Sequence, residues 1–150
     1  MKLGLLHMRT ASFDKGVQVA PNGVGYLASY VEQYQGLEDI EIEVYFDKLI
    51  EKKPDIIGIS TVSETYPLAR EYAKIIKSIN PKTYVFIGGP HITALPEALD
   101  KNFDAGVLSE GEQQFGELIS LIQNNNYHPN SLKNIQGIVF RDENSQIVNT

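Results

Sequence analysis

The stretch Ile87-Gly88-Gly89-Pro90-His91 ends an apolar run with two glycines and then turns through proline and histidine. The residues before it, Tyr84-Val85-Phe86-Ile87, have the composition of a buried β-strand. Two glycines at the carboxyl end of a strand remove side chains where another group must come close to the backbone. Because ligands of open α/β sheets bind at that end of the strands, the pair predicts a large ligand lying against the backbone.

Strands and helices alternate on both sides of this stretch. The predicted strands share short apolar runs, at residues 3–7, 40–46, 55–60, 84–87 and 105–108. The predicted helices share helical patterns or short helical stretches, at residues 24–31, 47–53, 68–79, 96–101 and 115–122. Successive βα units with right-handed crossovers predict a flavodoxin-like (Rossmann-like), doubly wound α/β fold with a parallel five-stranded sheet.

The C-terminal residues follow a different pattern. Residues 135–141 and 146–149 flank a polar turn and predict a β-hairpin. The asparagine-rich residues 124–130 before it predict a solvated loop. We therefore divide the chain into an α/β domain over residues 1–130 and a hairpin or connector over residues 131–150. The hairpin is expected either to extend the edge of the sheet or to begin a connection to another domain.

Composition excludes several classes of partner and site. With 150 residues, of which 42% are hydrophobic and 21% charged, the chain fits one globular domain. A net charge of −6 without a Lys/Arg cluster argues against nucleic acid or an anionic membrane as the partner. The sequence contains neither a signal peptide nor an apolar run of membrane-spanning length, so a cytoplasmic location is expected. The absence of cysteine excludes disulfides and cysteine-ligated iron–sulfur clusters within these residues.

Polar and glycine-containing segments lie near the carboxyl ends of the predicted strands. Pro21-Asn22-Gly23-Val24-Gly25 opens the first helix, where backbone N–H groups can receive a phosphate or a ligand edge, and simple helix entry explains it equally well. Ser60-Thr61-Val62-Ser63-Glu64-Thr65 carries four hydroxyls, of which Ser63 or Thr65 is expected to cap the next helix. Ser109-Glu110-Gly111-Glu112 matches a capping box or lines the same edge as the other loops.

The fingerprints of common ligand-binding α/β domains are absent. The chain has no GxxxxGK[ST] motif, and its first strand is not followed by GxGxxG or by an acidic cluster. The hydroxyl-rich loop follows the third strand, whereas a flavodoxin-type FMN site requires it after the first. His7, His91 and His128 show no metal-ligand spacing. The missing motifs argue against the common nucleotide and FMN sites and indicate another class of small-molecule ligand.

Five segments carry a combined pattern that runs in order over nearly the whole chain, at residues 21–28, 53–60, 87–97, 109–118 and 135–142. The most specific part is Gly-Gly-Pro-His, followed by a Pro-Glu helix and then by Glu-Gly-Glu. This pattern resembles the cobalamin-binding domain of B12-dependent radical SAM proteins. The resemblance implies a flavodoxin-like domain that holds cobalamin at the carboxyl edge of its sheet, packed onto a separate radical SAM barrel.

The resemblance also implies which residues contact the cofactor. Gly88 and Gly89 would leave a slot for its nucleotide tail, so Gly89→Leu is expected to abolish binding while the fold stays cooperative. The implied cofactor-binding residues are Asn22, Gly23, Gly25, Ser60, Thr61, Ser63, Thr65, Gly88, Gly89, Pro90, His91, Ser109, Glu110, Gly111 and Glu112. The Asp-x-His-x-x-Gly signature of other cobalamin domains is missing after the first strand, which predicts base-off cobalamin without a His ligand from that motif. A strand-end histidine such as His7 more often satisfies local hydrogen bonds.

The resembling proteins carry a Cys-x-x-x-Cys-x-x-Cys cluster site downstream, and this chain has no cysteine. The [4Fe-4S] cluster and S-adenosylmethionine are therefore expected only in a longer protein, and this chain alone is not expected to be catalytic. The first hypothesis is the N-terminal domain of a methyltransferase-like radical SAM enzyme, in which the protein binds and orients the cofactor. The alternatives are a stand-alone corrinoid carrier or sensor and an α/β domain whose loops only form a partner interface.

Overall fold

The fold is that of a computed structural model, which describes residues 1–8, 22–33, 39–43 and 45–150. The strands of the described residues are β1 (Lys2–His7), β2 (Asp39–Glu43), β3 (Ile56–Ser60), β4 (Tyr84–Gly88), β5 (Ala105–Val107), β6 (Ile138–Arg141) and β7 (Ile147–Asn149). They form one sheet in the order β2-β1-β3-β4-β5-β6-β7. The predicted loop after the first strand falls largely on residues 9–21, which lie outside the described residues.

The parallel part of the sheet confirms the predicted fold class. The strands from β2 to β5 pair in parallel, and their order 2-1-3-4-5 is that of a flavodoxin-like doubly wound sheet. The hairpin adds β6 and β7 antiparallel to the edge at β5, which is the first of the two positions expected for it. Ile138, Val139 and Phe140 are each 0% exposed, so the hairpin belongs to the core. Its role as a connector to another domain stays a prediction.

The helices of the described residues are α1 (Asn22–Val31), α2 (Phe46–Glu51), α3 (Tyr66–Ile79), α4 (Pro90–Ala94), α5 (Glu112–Gln123) and α6 (Pro129–Leu132). Prolines lie within the first two helical positions of α3, α4 and α6, where their missing N–H and fixed φ are no disadvantage. No helix in these described ranges is long and apolar enough to cross a membrane.

Four predicted boundaries change in the structure. The second strand ends at Glu43, and Phe46 already begins α2. The helix predicted over residues 96–101 is a 3₁₀ turn over Pro96–Ala98, because Leu99 becomes extended and is buried in the core. The predicted turn after Gly89 contains the short helix α4. The predicted loop 124–130 runs into α6, where the His128 imidazole accepts a hydrogen bond from the Ser131 N–H.

Alternate strand residues pack on two sides of the sheet. On one side, called the α1/α5 face, Leu5, Phe86 and Val107 join a cluster with residues of α1 and α5. On the other side, called the α3/α4 face, Ile59 and Ile87 join a cluster with residues of α2, α3 and α4. Parallel sheets are covered in this way on both faces, which explains the nearly continuous apolar sequences of the central strands.

Candidate ligand-binding site

A cavity of about 420 Å³ lies on the α1/α5 face at the carboxyl ends of the parallel strands. Its floor and walls are apolar and include Leu5 from β1, Phe86 from β4 and Phe115 from α5. Gly58 lies beneath these side chains, since a Cβ atom there would come within 2.9 Å of Leu5 Cδ2 and 3.2 Å of Phe115 Cζ. A cavity of this size and lining is typical of a small-molecule site.

The two glycines of the Gly-Gly-Pro-His segment have different surroundings, although both line the cavity. A Cβ atom on Gly88 would meet, of the atoms in the described residues, only the Val107 carbonyl oxygen, at an ordinary contact distance of 3.7 Å. A Cβ atom on Gly89 would lie 2.5 Å from the Thr61 carbonyl oxygen, and Gly89 has a φ of +97°. Gly89 is therefore required by the fold itself, whereas the described part of the chain gives no packing reason for a glycine at 88. The structure thus argues against the expectation that Gly89→Leu leaves the fold cooperative, and a substitution of Gly88 is the better test of the slot.

The turn between β5 and α5 runs through two left-handed residues, Ser109 at φ +59° and Gly111 at φ +82°. A side chain on Gly111 would also collide with Val107, whose Cγ1 lies 2.6 Å from the position of the added Cβ. The predicted capping box does not form, because Gly111 takes the N-cap position and α5 begins only at Glu112. The turn instead places Ser109, Glu110, Gly111 and Glu112 along the cavity.

Thr93 on α4 connects the two loops that border the cavity. Its hydroxyl donates to the Gly89 carbonyl oxygen at 3.0 Å and accepts from the Ser109 N–H at 3.0 Å. Thr93 itself lines the cavity. The sequence analysis missed it, and the available signal was its position one helical turn after Gly89, from which a threonine hydroxyl reaches back to a carbonyl.

The hydroxyl loop is residues 60–65 after β3. Its residues Thr61, Ser63 and Thr65 are not among those that line the cavity. The hydroxyls of Thr61 and Thr65 lie 2.6 Å apart and are buried. Thr65 occupies the N-cap position of α3 with a helical backbone instead of an extended one, and its hydroxyl bonds to the backbone of Val62. The expected side-chain cap is therefore wrong at Thr65. Ser60 does line the cavity, because it has the same strand parity as Gly58.

His91 belongs to a cluster beside the hydroxyl loop. Its Nδ1 lies 3.0 Å from the Ser63 hydroxyl, and its ring stacks on Tyr66 with the centroids 4.0 Å apart. Neither His91 nor Ser63 is among the residues that line the cavity. The structure thus places both beside the site and not inside it, where they join the loop after β3 to α4.

The first helix contributes one wall of the cavity. Gly23 lines it, and an added Cβ atom there would find no atom within 4 Å in the described part of the chain. Gly25 is equally open but does not line the cavity. Tyr26 stands at the mouth with 69% of its surface exposed, and the sequence analysis did not single it out. Asn22 begins the helix, and its side chain lies outside the described residues.

His7 closes a row of residues across the edge of the sheet, paired with Ser60, which in turn pairs with Gly88. Burial lowers the pKa of the His7 imidazole, which favours its neutral form. By strand alternation His7 shares the face of Leu5, although it does not line the cavity. The His7 imidazole therefore lies near this edge, but outside the cavity.

Comparison with known proteins places these features in a family. Residues 14–119 match the family model described as B12 binding domain. An uncharacterized methyltransferase of Pyrococcus horikoshii is 35% identical over 162 residues, which cover 99% of this chain and 34% of that protein. The anaerobic magnesium-protoporphyrin IX monomethyl ester cyclase of Rubrivivax gelatinosus is 26% identical over 142 residues, covering 87% of this chain and 25% of that protein. The chain spans about a third or less of the length of these relatives.

Solved structures of one enzyme have the same fold as this chain. The cobalamin-dependent S-adenosylmethionine radical enzyme OxsB, with aqua-cobalamin and S-adenosylmethionine bound, matches with a TM-score of 0.78 at 21% identity. The match covers 99% of this chain and 22% of that one. The apo form of the same enzyme matches with a TM-score of 0.73 at 20% identity. The shared fold includes the hairpin, because nearly the whole chain is covered.

Proposed function

The chain belongs to the family of B12-binding domains, and on that premise we propose that the cavity on the α1/α5 face holds the nucleotide tail of cobalamin. The corrin ring would lie over the rim of the cavity. The rim includes Ser60 at the end of β3, and Ser109 and Glu110 in the turn after β5. When bound, cobalamin supplies a cobalt centre that can accept and hand on a methyl group. The protein's part is to bind and orient this cofactor.

The observation that carries the proposal is the open position at Gly88. A glycine inside a strand destabilises the fold by about 0.5–1 kcal/mol relative to alanine, and the described part of the chain has room here for the alanine methyl group. We infer that this room serves a group that comes from outside the chain. A ligand with a flat, aromatic tail fits this requirement, because the space below Gly88 is bounded by Leu5, Phe86 and Phe115.

The hydroxyl groups at the rim of the cavity favour a ligand with many amide groups. Among the described residues, the Ser60 and Ser109 hydroxyls have no hydrogen-bond partner, and both line the cavity. Hydroxyls donate and accept, so they can satisfy either end of a primary amide. The corrin ring carries such amides around its edge. The site therefore offers an apolar slot for the tail and polar partners for the ring.

The experiment is a titration of the chain with hydroxocobalamin, followed in the visible spectrum. Saturable binding with a spectral shift is expected for the wild type. Gly88→Leu fills the slot and is expected to weaken binding by at least about a hundredfold, or about 2.7 kcal/mol. Ala94→Leu is the matched control, because it adds a similar side chain at an exposed position of α4 outside the cavity. Absence of binding by the wild type, or equal binding by Gly88→Leu, would contradict the proposal.

We also propose that cobalamin is held base-off and without a histidine ligand. None of the residues that line the cavity is a histidine. The signature that supplies such a ligand in other cobalamin domains is missing after the first strand. The electron paramagnetic resonance spectrum of the bound Co(II) form is therefore expected to lack axial nitrogen splitting. A splitting that disappears in His7→Phe would assign His7 as the ligand and overturn this part of the proposal.

The domain is proposed to act within a longer cobalamin-dependent S-adenosylmethionine radical enzyme of the methyltransferase type. Support comes from the names and lengths of the similar proteins, of which this chain covers between 22% and 34%. Since the chain has no cysteine, an iron–sulfur cluster and S-adenosylmethionine would be held by residues outside it. Sequencing the gene beyond codon 150 tests this: a Cys-x-x-x-Cys-x-x-Cys motif in frame is expected. An immediate stop codon would favour the stand-alone corrinoid carrier.

A further inference from the structure

Among the described residues, the rim of the cavity carries negative charge without a compensating positive charge. Glu110 and Glu112 both line it, and no lysine, arginine or histidine of residues 1–8, 22–33, 39–43 and 45–150 does. Glu110 is exposed and Glu112 half-buried. Neither carboxylate has an ion pair or a side-chain hydrogen bond within the described part of the chain. Both are therefore free to act on a ligand at the rim.

The turn that carries these carboxylates is held rigidly. Ser109 keeps a left-handed backbone, which is strained for a serine and persists only where the surroundings fix it. The fixing contacts are the bond from the Ser109 N–H to the Thr93 hydroxyl and the bond from the Leu108 N–H to the Gly137 carbonyl oxygen, each of 3.0 Å. Glu112 stands in the first turn of α5, where the helix dipole stabilises negative charge. The charges are thus presented at defined places.

We propose that Glu110 and Glu112 select corrinoids whose side chains end in amides against those whose side chains end in carboxylates. This proposal rests on the proposed function, since it assigns the rim to the corrin ring. An amide N–H donates to a carboxylate in a charge-assisted hydrogen bond. A ligand carboxylate at the same place brings two like charges together, and no cation among the described lining residues compensates them. The rim then discriminates by charge, while the apolar slot binds the tail that both ligands share.

The experiment compares cyanocobalamin with its b-, d- and e-monocarboxylic acids, each of which keeps the nucleotide tail. At neutral pH at least one of these acids is expected to bind the wild-type chain about tenfold more weakly than cyanocobalamin, which corresponds to 1.4 kcal/mol. In the double variant Glu110→Gln/Glu112→Gln the difference is expected to fall to about twofold or less. Added salt is expected to narrow the difference in the wild type, because it screens exposed charges.

The control is the double variant Glu71→Gln/Glu97→Gln, which changes the net charge equally at exposed residues outside the cavity. It is expected to keep the wild-type difference between the two kinds of ligand. Equal binding of all acids and cyanocobalamin to the wild type would overturn the inference, as would a penalty that persists in Glu110→Gln/Glu112→Gln. Relief of the penalty in the control would assign it to net charge and also overturn the inference. A chain that does not bind cyanocobalamin refutes the proposed function first.

Discussion

The two faces of the parallel sheet receive alternate residues of the same strands and end in different ways. On the α1/α5 face the central strands end in Ser60 and Gly88, above a cavity of about 420 Å³. On the α3/α4 face the same strands end in Ile59 and Ile87, each only 1% exposed and packed against the helices. The apolar slot of the site therefore lies on one face, and Thr93 of α4 reaches the cavity from beyond the strand ends. Residues adjacent in a motif serve the ligand or the fold according to the face on which they lie.

Gly88 and Gly89 show this contrast most sharply, and Gly89→Ala is expected to have the largest effect on stability. Its methyl group would strike the backbone of Thr61, and alanine is strained at a φ of +97°. We expect a loss of at least about 3 kcal/mol in the free energy of unfolding. Gly88→Ala should instead stabilise the chain by up to about 1 kcal/mol, because its methyl group meets the Val107 carbonyl oxygen only at an ordinary contact distance of 3.7 Å and alanine favours a strand more than glycine does. Urea denaturation followed by circular dichroism measures the free energy of unfolding of both variants. Similar losses in the two would contradict the different roles assigned to Gly88 and Gly89.

Thr93→Val tests the hydrogen bonds by which Thr93 connects the loop after β4 to the turn after β5 at the cavity. It removes a donor to Gly89 and an acceptor for the Ser109 N–H. The expected loss is about 1–3 kcal/mol in the free energy of unfolding, together with weaker cobalamin binding, since the turn at Ser109 loses its support. Thr93→Ser keeps the hydroxyl and should retain most of the stability and binding. If valine and serine behave alike, the connection has no energetic role.

Tyr66 and Tyr127 show that the two faces differ in how the hydroxyl group of a tyrosine is hydrogen-bonded. On the α3/α4 face, the Tyr66 hydroxyl donates to the Ala98 carbonyl oxygen. On the α1/α5 face, the Tyr127 hydroxyl is buried and has no hydrogen-bond partner among the described residues. Tyr66→Phe should therefore destabilise the chain by about 1 kcal/mol, and Tyr127→Phe should stabilise it by a similar amount. Thermal unfolding of the two variants measures the difference, and a destabilising Tyr127→Phe would contradict the assignment.

Tyr127 also predicts an alkaline effect. Burial raises the pKa of the Tyr127 phenol well above its usual range, with Asp104 and Tyr84 adding to the shift. The folded state thus holds the phenolic proton more tightly than the unfolded chain. Its stabilising contribution is complete below the unfolded pKa of about 10 and declines as the pH rises above that value. Tyr127→Phe should flatten the fall in melting temperature above pH 10, and an unchanged slope would refute this.

The smallest predicted effect concerns acid stability on the α3/α4 face. Burial alone would raise the pKa of Asp100, but hydrogen bonds from Asn102 and Arg70 together lower it below its usual value. A lowered folded pKa gives stability that is present above the unfolded pKa, about 3.9, and is lost as the pH falls below it. Asp100→Asn should remove less than about 1 kcal/mol at pH 7 and less still at pH 3. Equal losses at both pH values would exclude this ionic contribution.

The fold was predictable from the sequence in elements that are long enough for their apolar residues to repeat at a regular spacing. The buried strand over residues 56–60 and the long helix α3 follow directly from apolar spacing. The helix α4 was missed because it has five residues, of which only Ile92 is buried. Such a helix is specified by Pro90 and by contacts with the sheet, and a period cannot be read from one turn.

The site was predictable to the extent that it lies at strand ends. Ser60, Gly88 and Ser109 were selected on that ground, and the structure brings them together. Thr61 and His91 were selected with them, because a sequence motif does not say which neighbours share a face. Tyr26 and Thr93 were missed, since both reach the cavity from helices whose orientation depends on tertiary packing.

The position of the hairpin has a consequence for synthesis on the ribosome. Strand β5 is only three residues long, and its second neighbour β6 is made more than thirty residues later, with Val107 facing Ile138 and Ala105 facing Phe140. At about 5–20 residues per second, translation leaves this edge without its partner for roughly 2–7 seconds. During that interval an apolar strand edge stays open to wrong pairing. A chaperone that protects this edge would act after β5 has left the ribosome and before β6 follows it.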